Sequence, residues 1–558
     1  MVKRILSLLG KEIGNLHEAA YLLGFFAILS QLLALFRDRL LAYTFGAGAT
    51  LDIYYAAFRI PDLLFISVGS IVSVSVLVPF LLDRAKNGEA ESRQFVSQLA
   101  TAFLAVIVCV GALAWWLSPA LTLWFFPGIT GDDHIQLTLF TRILLFSPIL
   151  LGLSNCLGSI TQAYRRFVVY ALSPLVYNLG IIFGIVVLYP KIGTKGLVYG
   201  VVFGALLHVL VQVPSVRAIG RMPQLVFRGS YRVFTEVMAV SLPRTLTLGL
   251  SQIAILFLMS LASQMAEGSI AVFTFALNLQ SVPLSIIGVS YSLAAFPALS
   301  KLHTDGNTSA FFTQLATAAR HILFWSIPIT LLFIVLRAHI VRVVLGAGEF
   351  TWSDTRLTAA TLALFVVSVV AQSLVLLFVR AYYARGETRR PLQISVYSTL
   401  IIILSSIGLS HLFVTIPSFH YFLEALFRVS DVAGTKILVL PLAFTIGMSV
   451  NALYLWWGLK PHSPIRLIPL RETFFQSVSA SIIMGFVTYL SLNYFSTIFS
   501  LTTTLGLFLQ AFCSAIIGIV AWVGILKALN SPELSEMWTT LHRKIWKTGI
   551  VTEEIGQL

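Results

Sequence analysis

Apolar runs of twenty or more residues recur along the whole chain, separated by short polar breaks, and no other feature constrains the fold as much. A bilayer core is crossed by about 20 helical residues, so each run has the length of one crossing. Transmembrane β-strands would be half as long and would alternate polar with apolar residues. Helices remain as the structure that pairs every backbone N–H and C=O inside lipid. The composition agrees: of 558 residues, 58% are hydrophobic and 11% charged, with a mean hydropathy of +0.90. The expected fold is therefore an all-α polytopic membrane protein. The runs predict fourteen spans, at approximately 18–45, 51–82, 96–126, 135–163, 167–189, 195–216, 232–264, 268–299, 310–345, 355–384, 390–416, 435–458, 472–495 and 500–528. A short amphipathic helix is expected near 532–547.

A formal net charge of +14 is compatible with nucleic-acid binding, but the lysines and arginines are scattered through short loops and form no tract. Membrane topology accounts for them. With the N-terminus inside, about 24 of them fall on the cytoplasmic side and about seven outside, the asymmetry that orients helices in an inner membrane. Both termini are then cytoplasmic. The leading MVKRILSLLGKEIGNLHEAA has neither a compact apolar region nor a small-residue cleavage site, so it reads as a retained lead-in helix. Cys109, Cys156 and Cys513 lie in apolar segments without metal-ligand spacing and are expected to pack.

The chain also repeats. GSITQAYRRFVVYALSPLVYNLGII (158–182) resembles LLFVRAYYARGETRRPLQISVYSTLIII (376–403), aligning Ala163-Tyr164 with Ala381-Tyr382 and Val176-Tyr177 with Val396-Tyr397. Ser30-Gln31 matches Ser251-Gln252, and Pro79 matches Pro297, at nearly the same offset. This spacing predicts two six-helix bundles, 1–228 and 229–460, followed by two extra spans and a tail, 461–558. An even number of spans per copy starts both bundles on the same face, related by an axis along the membrane normal, and such halves commonly enclose a central site.

Few ionisable residues fall within spans: Arg37, Asp38, Arg39, Arg59, Asp62, Arg142, Glu236, Arg244 and Arg320. A charge at bilayer depth costs several kcal/mol unless it faces water or a partner. Arg37 and Asp38, adjacent on a helix, should project about 100° apart and not serve one partner on the same stripe. Asp52, Arg59 and Asp62 of span two are available as counter-charges, with Pro61 as a helix break. Two readings stay open here. One is an ion-pair network holding the first hairpin together. The other leaves an arginine facing a hydrated cavity to meet an anion, since a guanidinium grips phosphate with two prongs at any physiological pH. Arg244 follows the helix breaker Pro243 in span seven, the repeat mate of span one, and serves either that cavity or the interface. Gln252 and Asn278 are uncharged polar candidates at similar depth. No HExxH, nucleotide-binding glycine loop or positioned acid–base pair is present, so no catalytic residue, metal or cofactor is assigned.

The segment ALFRDRLLAYTFGAGATLDIYYAAFRIPDLL (34–64) resembles the GF-x-RD…FGAG…D-x-F…AF-K/R-x-P-N-LL pattern of the MurJ (MviN) lipid II flippases of the MOP exporter superfamily. Weaker similarity follows in SVPLSIIGVSYSLAAFPALSKL (281–302), GALLHVLVQVP (204–214) and 381–391. The resemblance implies fourteen spans, doubled bundles and both ends inside. By it, Arg37 and Asp38 match the family's arginine–aspartate pair, Asp52 its span-two aspartate and Ser30 its cavity-facing serine. Three family arginines are absent, their places taken by Gln31, Phe65 and Asn278. The implied substrate is a polyprenyl-pyrophosphate-linked sugar, lipid II, moved to the outer leaflet through a cationic cavity formed by Arg37, Arg39, Arg59 and Arg244. Asp38 and Asp52 are expected to pair with these arginines when the cavity is empty. The drive is expected to be membrane potential or an ion gradient, and other cell-wall synthesis proteins are candidate partners besides the lipid bilayer. Spans thirteen and fourteen, nearly uncharged from Phe474 to Val523, would suit a polyprenyl tail. A flippase for another polyprenyl-linked glycan, a MATE-like exporter and a non-transporting envelope scaffold are the alternatives.

Overall fold

The structure, a computed structural model, describes residues 16–69, 74–86, 88–459 and 468–546. It is 86% helical, and no strand occurs among the described residues. Thirteen of these helices are long and apolar enough to cross a membrane, from Tyr21–Phe45 to Thr504–Ala528. The expected span 51–82 instead comes as pieces: Ala49–Ala57, Arg59–Leu64, a π-helical turn Phe65–Gly69, and Val74–Lys86. Pro61 explains the first break, because it lacks an N–H and its ring clashes with the carbonyl four residues earlier, and the chain turns at Phe58. A second π-helical turn, Leu284–Val289, interrupts the repeat-mate span, and the two begin 219 residues apart (65 and 284). That matches the offset of the sequence repeat, so the local distortion is duplicated along with the apolar pattern. The amphipathic tail helix runs Pro532–Trp546.

Two compact units are formed. The first comprises Met1–Leu279, Val344–Leu364 and Thr388–Gly447; the second, Gln280–Val343, Phe365–Glu387 and Met448–Leu558. In the first unit, helices Phe167–Phe183 and Lys195–Leu210 meet along glycines. A methyl carbon on Gly180 would lie 2.2 Å from Gly204 Cα, and one on Gly184 would lie 2.6 Å from Gly200 Cα. With no hydrophobic drive between helices in lipid, such close backbone approach is how dispersion holds them together. Phe103 fills the space beside Gly152, at the centre of a cluster with Leu99, Ile107, Leu157 and Ile160.

The second unit contains the last two spans, Ile468–Phe495 and Thr504–Ala528, with Gly518 fitted against Thr488. Phe324, Met484, Trp522 and Leu526 form its cluster, which Leu534 of the tail helix joins. The tail is fixed by Glu533, 1% exposed, which accepts hydrogen bonds from Thr473 (2.5 Å) and Ser531 (2.9 Å) and faces Arg320 at 3.7 Å. The outer faces of both spans are apolar, with Ile482, Phe486 and Val520 at least 60% exposed. Those faces belong to lipid.

Candidate functional site

All the geometry that follows lies within the first unit. Helix Leu16–Phe45 places Arg37 and Asp38 against helix Phe167–Phe183. The two residues pair with each other although their Cβ atoms project about 100° apart. The long arginine side chain folds back so that Nε (2.9 Å) and Nη2 (2.8 Å) both donate to Asp38 Oδ1. Nη1 donates to Asn178 Oδ1 at 3.0 Å, and Asn178 Nδ2 donates to the Pro174 carbonyl one turn back, which fixes the amide's orientation. The other aspartate oxygen, Oδ2, accepts from Asn278 Nδ2 at 2.9 Å. Asp38 is 3% exposed, so pairing on both oxygens is what makes its burial tolerable. A guanidinium carries five N–H bonds. Three are used here, which leaves Arg37 two donors for an anion.

Asn278 thus serves Asp38 as a neutral donor. Asn178 is a member of this cluster that the sequence did not single out. It sits in the apolar run SPLVYNLGII, and an amide four residues after a proline, able to bond back to that residue's carbonyl, was the available signal. Ser30 and Gln31 lie seven residues before Arg37 and Asp38 on the same helix, hence on the same faces, and both are half-buried. Arg244 lies in helix Ser230–Ser263, and its side chain is outside the described residues.

Three further charges are placed elsewhere. Arg39 Nη1 donates to the carbonyl of Val344 (3.3 Å), the last residue of helix Thr308–Val344, where a cation complements the helix dipole. Asp52 does not pair with an arginine. Its oxygens accept from the N–H groups of Gly268 and Ala271, both at 2.7 Å, at the start of helix Ser269–Pro283. Glu267 returns the contact by accepting from Ala49 N–H at 3.0 Å, the start of the helix that carries Asp52. Two repeat-related helix N-termini therefore cap one another with carboxylates, a favourable placement for negative charge. Close backbone contact continues this seam: Glu349 N–H donates to the Tyr43 carbonyl (3.0 Å), and Gly268, in the left-handed region at φ +83°, leaves no room for a methyl beside the Ala47 carbonyl. These loops follow the first, seventh and ninth spans, so parity puts them on one side of the membrane.

Arg59 reaches Asp62 at 3.7 Å, longer than a hydrogen bond, and its Nε is buried without a partner. Asp62 lines a small pocket, about 30 Å³ in volume, with Phe58, Phe65, Ser147 and Tyr177. The remaining ionisable groups in spans are closed off. Arg142 stacks over Trp115 (4.4 Å) and donates to Ser118 (2.8 Å), and Glu236 meets Arg84 at 3.2 Å.

A duplicated helical bundle with a half-buried, partly satisfied arginine between polar side chains defines a class: multi-pass membrane proteins of the transporter type. The family model described as "Lipid II flippase MurJ" matches residues 41–510. The chain belongs to the MurJ family. A relative from Burkholderia cenocepacia named "Lipid II flippase MurJ" is 24% identical over 497 residues, 86% of this chain and 91% of that one. A relative from Rickettsia prowazekii, "Probable lipid II flippase MurJ", is 25% identical over 390 residues, 69% of this chain and 77% of that one. Among solved structures, one described as "Lipid II flippase MurJ, inward closed conformation" superposes with TM-score 0.72 at 23% identity, covering 91% of this chain and 99% of that chain. An inward-facing MATE family transporter of the MOP superfamily gives TM-score 0.62 at 16% identity, covering 77% and 94%. These two likenesses extend the fold to the wider superfamily.

Proposed function

We propose that this protein is a lipid II flippase of the bacterial inner membrane, a transporter and not an enzyme. The observation that carries this is the match of the family model over residues 41–510. The local chemistry is compatible with it. The two N–H donors left on Arg37 suit a pyrophosphate oxygen pair, and the aspartate beside it keeps the arginine neutralised while no anion is bound. An arriving diphosphate competes with Asp38 for the guanidinium, and Asp38 retains Asn278 as donor while it gives the arginine up. Ser30 and Gln31, on the same faces two turns away, extend the polar surface, and Arg59 with its unpartnered Nε offers a second cation.

Translocation proceeds by alternating access, the six-helix bundles 1–228 and 229–460 rocking about this polar centre while the polyprenyl tail stays in the bilayer. Both termini are cytoplasmic, so the capped seam of Asp52 and Glu267 lies on the outer side. Membrane potential or an ion gradient drives the cycle, and other cell-wall synthesis proteins are candidate partners. Depletion of the resident flippase in a bacterium, with rescue by this chain, tests the assignment. Rescue should restore growth and expose lipid II on the outer leaflet, and Arg37→Glu should insert normally yet fail to rescue. Normal growth with Arg37→Glu would overturn the role given to the arginine, and absence of outer-leaflet lipid II in rescued cells would overturn the flippase assignment.

A further inference from the structure

The pocket beside Asp62 has a chemistry of its own. Its walls include the rings of Phe58, Phe65 and Tyr177, with the hydroxyls of Ser147 and Tyr177 and one carboxylate. The break at Phe58 and Pro61 sets the short helix Arg59–Leu64 apart from the helix before it and leaves the Asp62 side chain 43% exposed. Among the described residues, that carboxylate accepts no hydrogen bond, and Arg59 approaches only to 3.7 Å. An acidic group so placed retains most of its capacity to bind a cation.

We infer that this pocket binds a primary ammonium group carried by the head group of the transported lipid, and so selects among lipid-linked substrates; the inference rests on the flippase reading above. An ammonium has three N–H donors, and the Asp62 carboxylate is at hand to receive them together with the hydroxyl oxygens of Ser147 and Tyr177, which also hydrogen-bond each other. Aromatic faces attract a cation and exclude water from it. A bare divalent ion is a poorer fit, since it requires six or more oxygen ligands, or several retained waters, where most of these walls are carbon. Position supports the same occupant. Tyr177 of the pocket wall precedes Asn178, the acceptor for Arg37 Nη1, so one helix contributes both to the pocket and to the setting of the guanidinium. A head group with both a diphosphate and an amine is matched at two points.

The test uses the full-length protein in nanodiscs with two probes, lipid II bearing a lysine-type stem peptide and the same lipid with that amine acetylated. The protein should bind the free amine about tenfold more tightly, the effect of one charge-assisted contact. Asp62→Asn should bind both forms alike, at the affinity of the acetylated form, and Tyr177→Phe should narrow the preference, which keeps the test open if Asp62→Asn misfolds. Equal binding of the two probes by the unaltered protein, or a preference that survives Asp62→Asn, would overturn the inference while leaving the flippase reading intact. Failure to bind either probe would overturn both. A sodium dependence that Asp62→Asn abolishes equally for both probes would reassign the pocket to a metal cation and overturn the ammonium.

Discussion

Replacing Asp52 separates two ways of holding the seam, helix-end electrostatics and glycine packing. The carboxylate, 8% exposed, accepts two backbone N–H groups at 2.7 Å each. Hydrogen bonds to charged groups contribute about 1.5–3 kcal/mol, and loss of an N-cap costs about 1 kcal/mol. The two bonds share one carboxylate and do not add fully, so Asp52→Ala should cost the closed seam about 2–4 kcal/mol. At about 1.4 kcal/mol per decade, the ratio of open to closed molecules rises by about 30- to 700-fold. Asp52→Asn keeps one acceptor but turns an NH2 toward a backbone N–H, and should shift the balance nearly as far. Glu267→Gln, which touches one exposed bond at 3.0 Å, should shift it least. Spin labels at Ile135 and Trp352, 67% and 56% exposed, report the separation by pulsed electron–electron double resonance in nanodiscs. The expected result is a longer, broader distance distribution for Asp52→Ala. An unchanged distribution would show that the backbone contacts at Gly268 and Gly348 hold the seam without the caps.

Other outcomes follow from the same geometry. Gly180→Leu forces a side chain into the 2.2 Å approach to Gly204 and should destabilise the first unit by about 1–3 kcal/mol or more, read as a lower melting temperature in detergent. Asn278→Ala removes the donor to Asp38 Oδ2 and should cost about 1–3 kcal/mol at the cluster, whereas Asn278→Arg supplies a second cation to the same oxygen and should still rescue flippase-depleted cells. Asp431 accepts from both terminal nitrogens of Arg356 at 2.6 Å, and those bonds hold its carboxyl below the usual carboxylate range. A depressed value means that the contribution is complete above the unfolded pKa of about 3.9 and is lost as pH falls through the folded one. Hydrogen-exchange protection around 428–434, taken relative to the intrinsic rate at each pH, should therefore be flat from pH 8 to 5 and fall only in stronger acid, and Asp431→Asn should lower it across that plateau.

Apolar runs made the spans legible, and Pro61 marked the break in the second one, because both are local properties of chain and lipid. Pairing was harder to read. The angular spacing of Arg37 and Asp38 is correct for their Cβ atoms, but an arginine has four torsions with which to turn back on its neighbour, and the low dielectric rewards that pair. Asp52 looked like a counter-charge for arginines; its partners are backbone N–H groups 216 and 219 residues away, which no side-chain inventory contains. Arg39, counted among the cavity cations, is drawn to a helix C-terminus by the same backbone electrostatics. Asn178 was hidden by its surroundings, since one amide barely changes the hydropathy of the run around it.

The charges at membrane depth divide by how completely they are satisfied. Arg142 has both a ring and a hydroxyl, Glu236 has Arg84, and Arg320 has Glu533 of the tail helix. Buried polar groups are ordinarily closed in this way, because each unmet one costs free energy in lipid. Arg37 with two spare donors and Arg59 with an unpartnered buried Nε depart from that rule, the partly exposed Asp62 carboxylate beside Arg59 accepts no hydrogen bond among the described residues, and all three lie on the first two spans. A shortage that stability alone would have removed is best explained by a ligand that supplies the missing partners. Loss of a closed group such as Arg142 should then lower stability with little change in which lipid is bound. Loss of Arg37, Arg59 or Asp62 should alter lipid binding with a smaller effect on melting temperature.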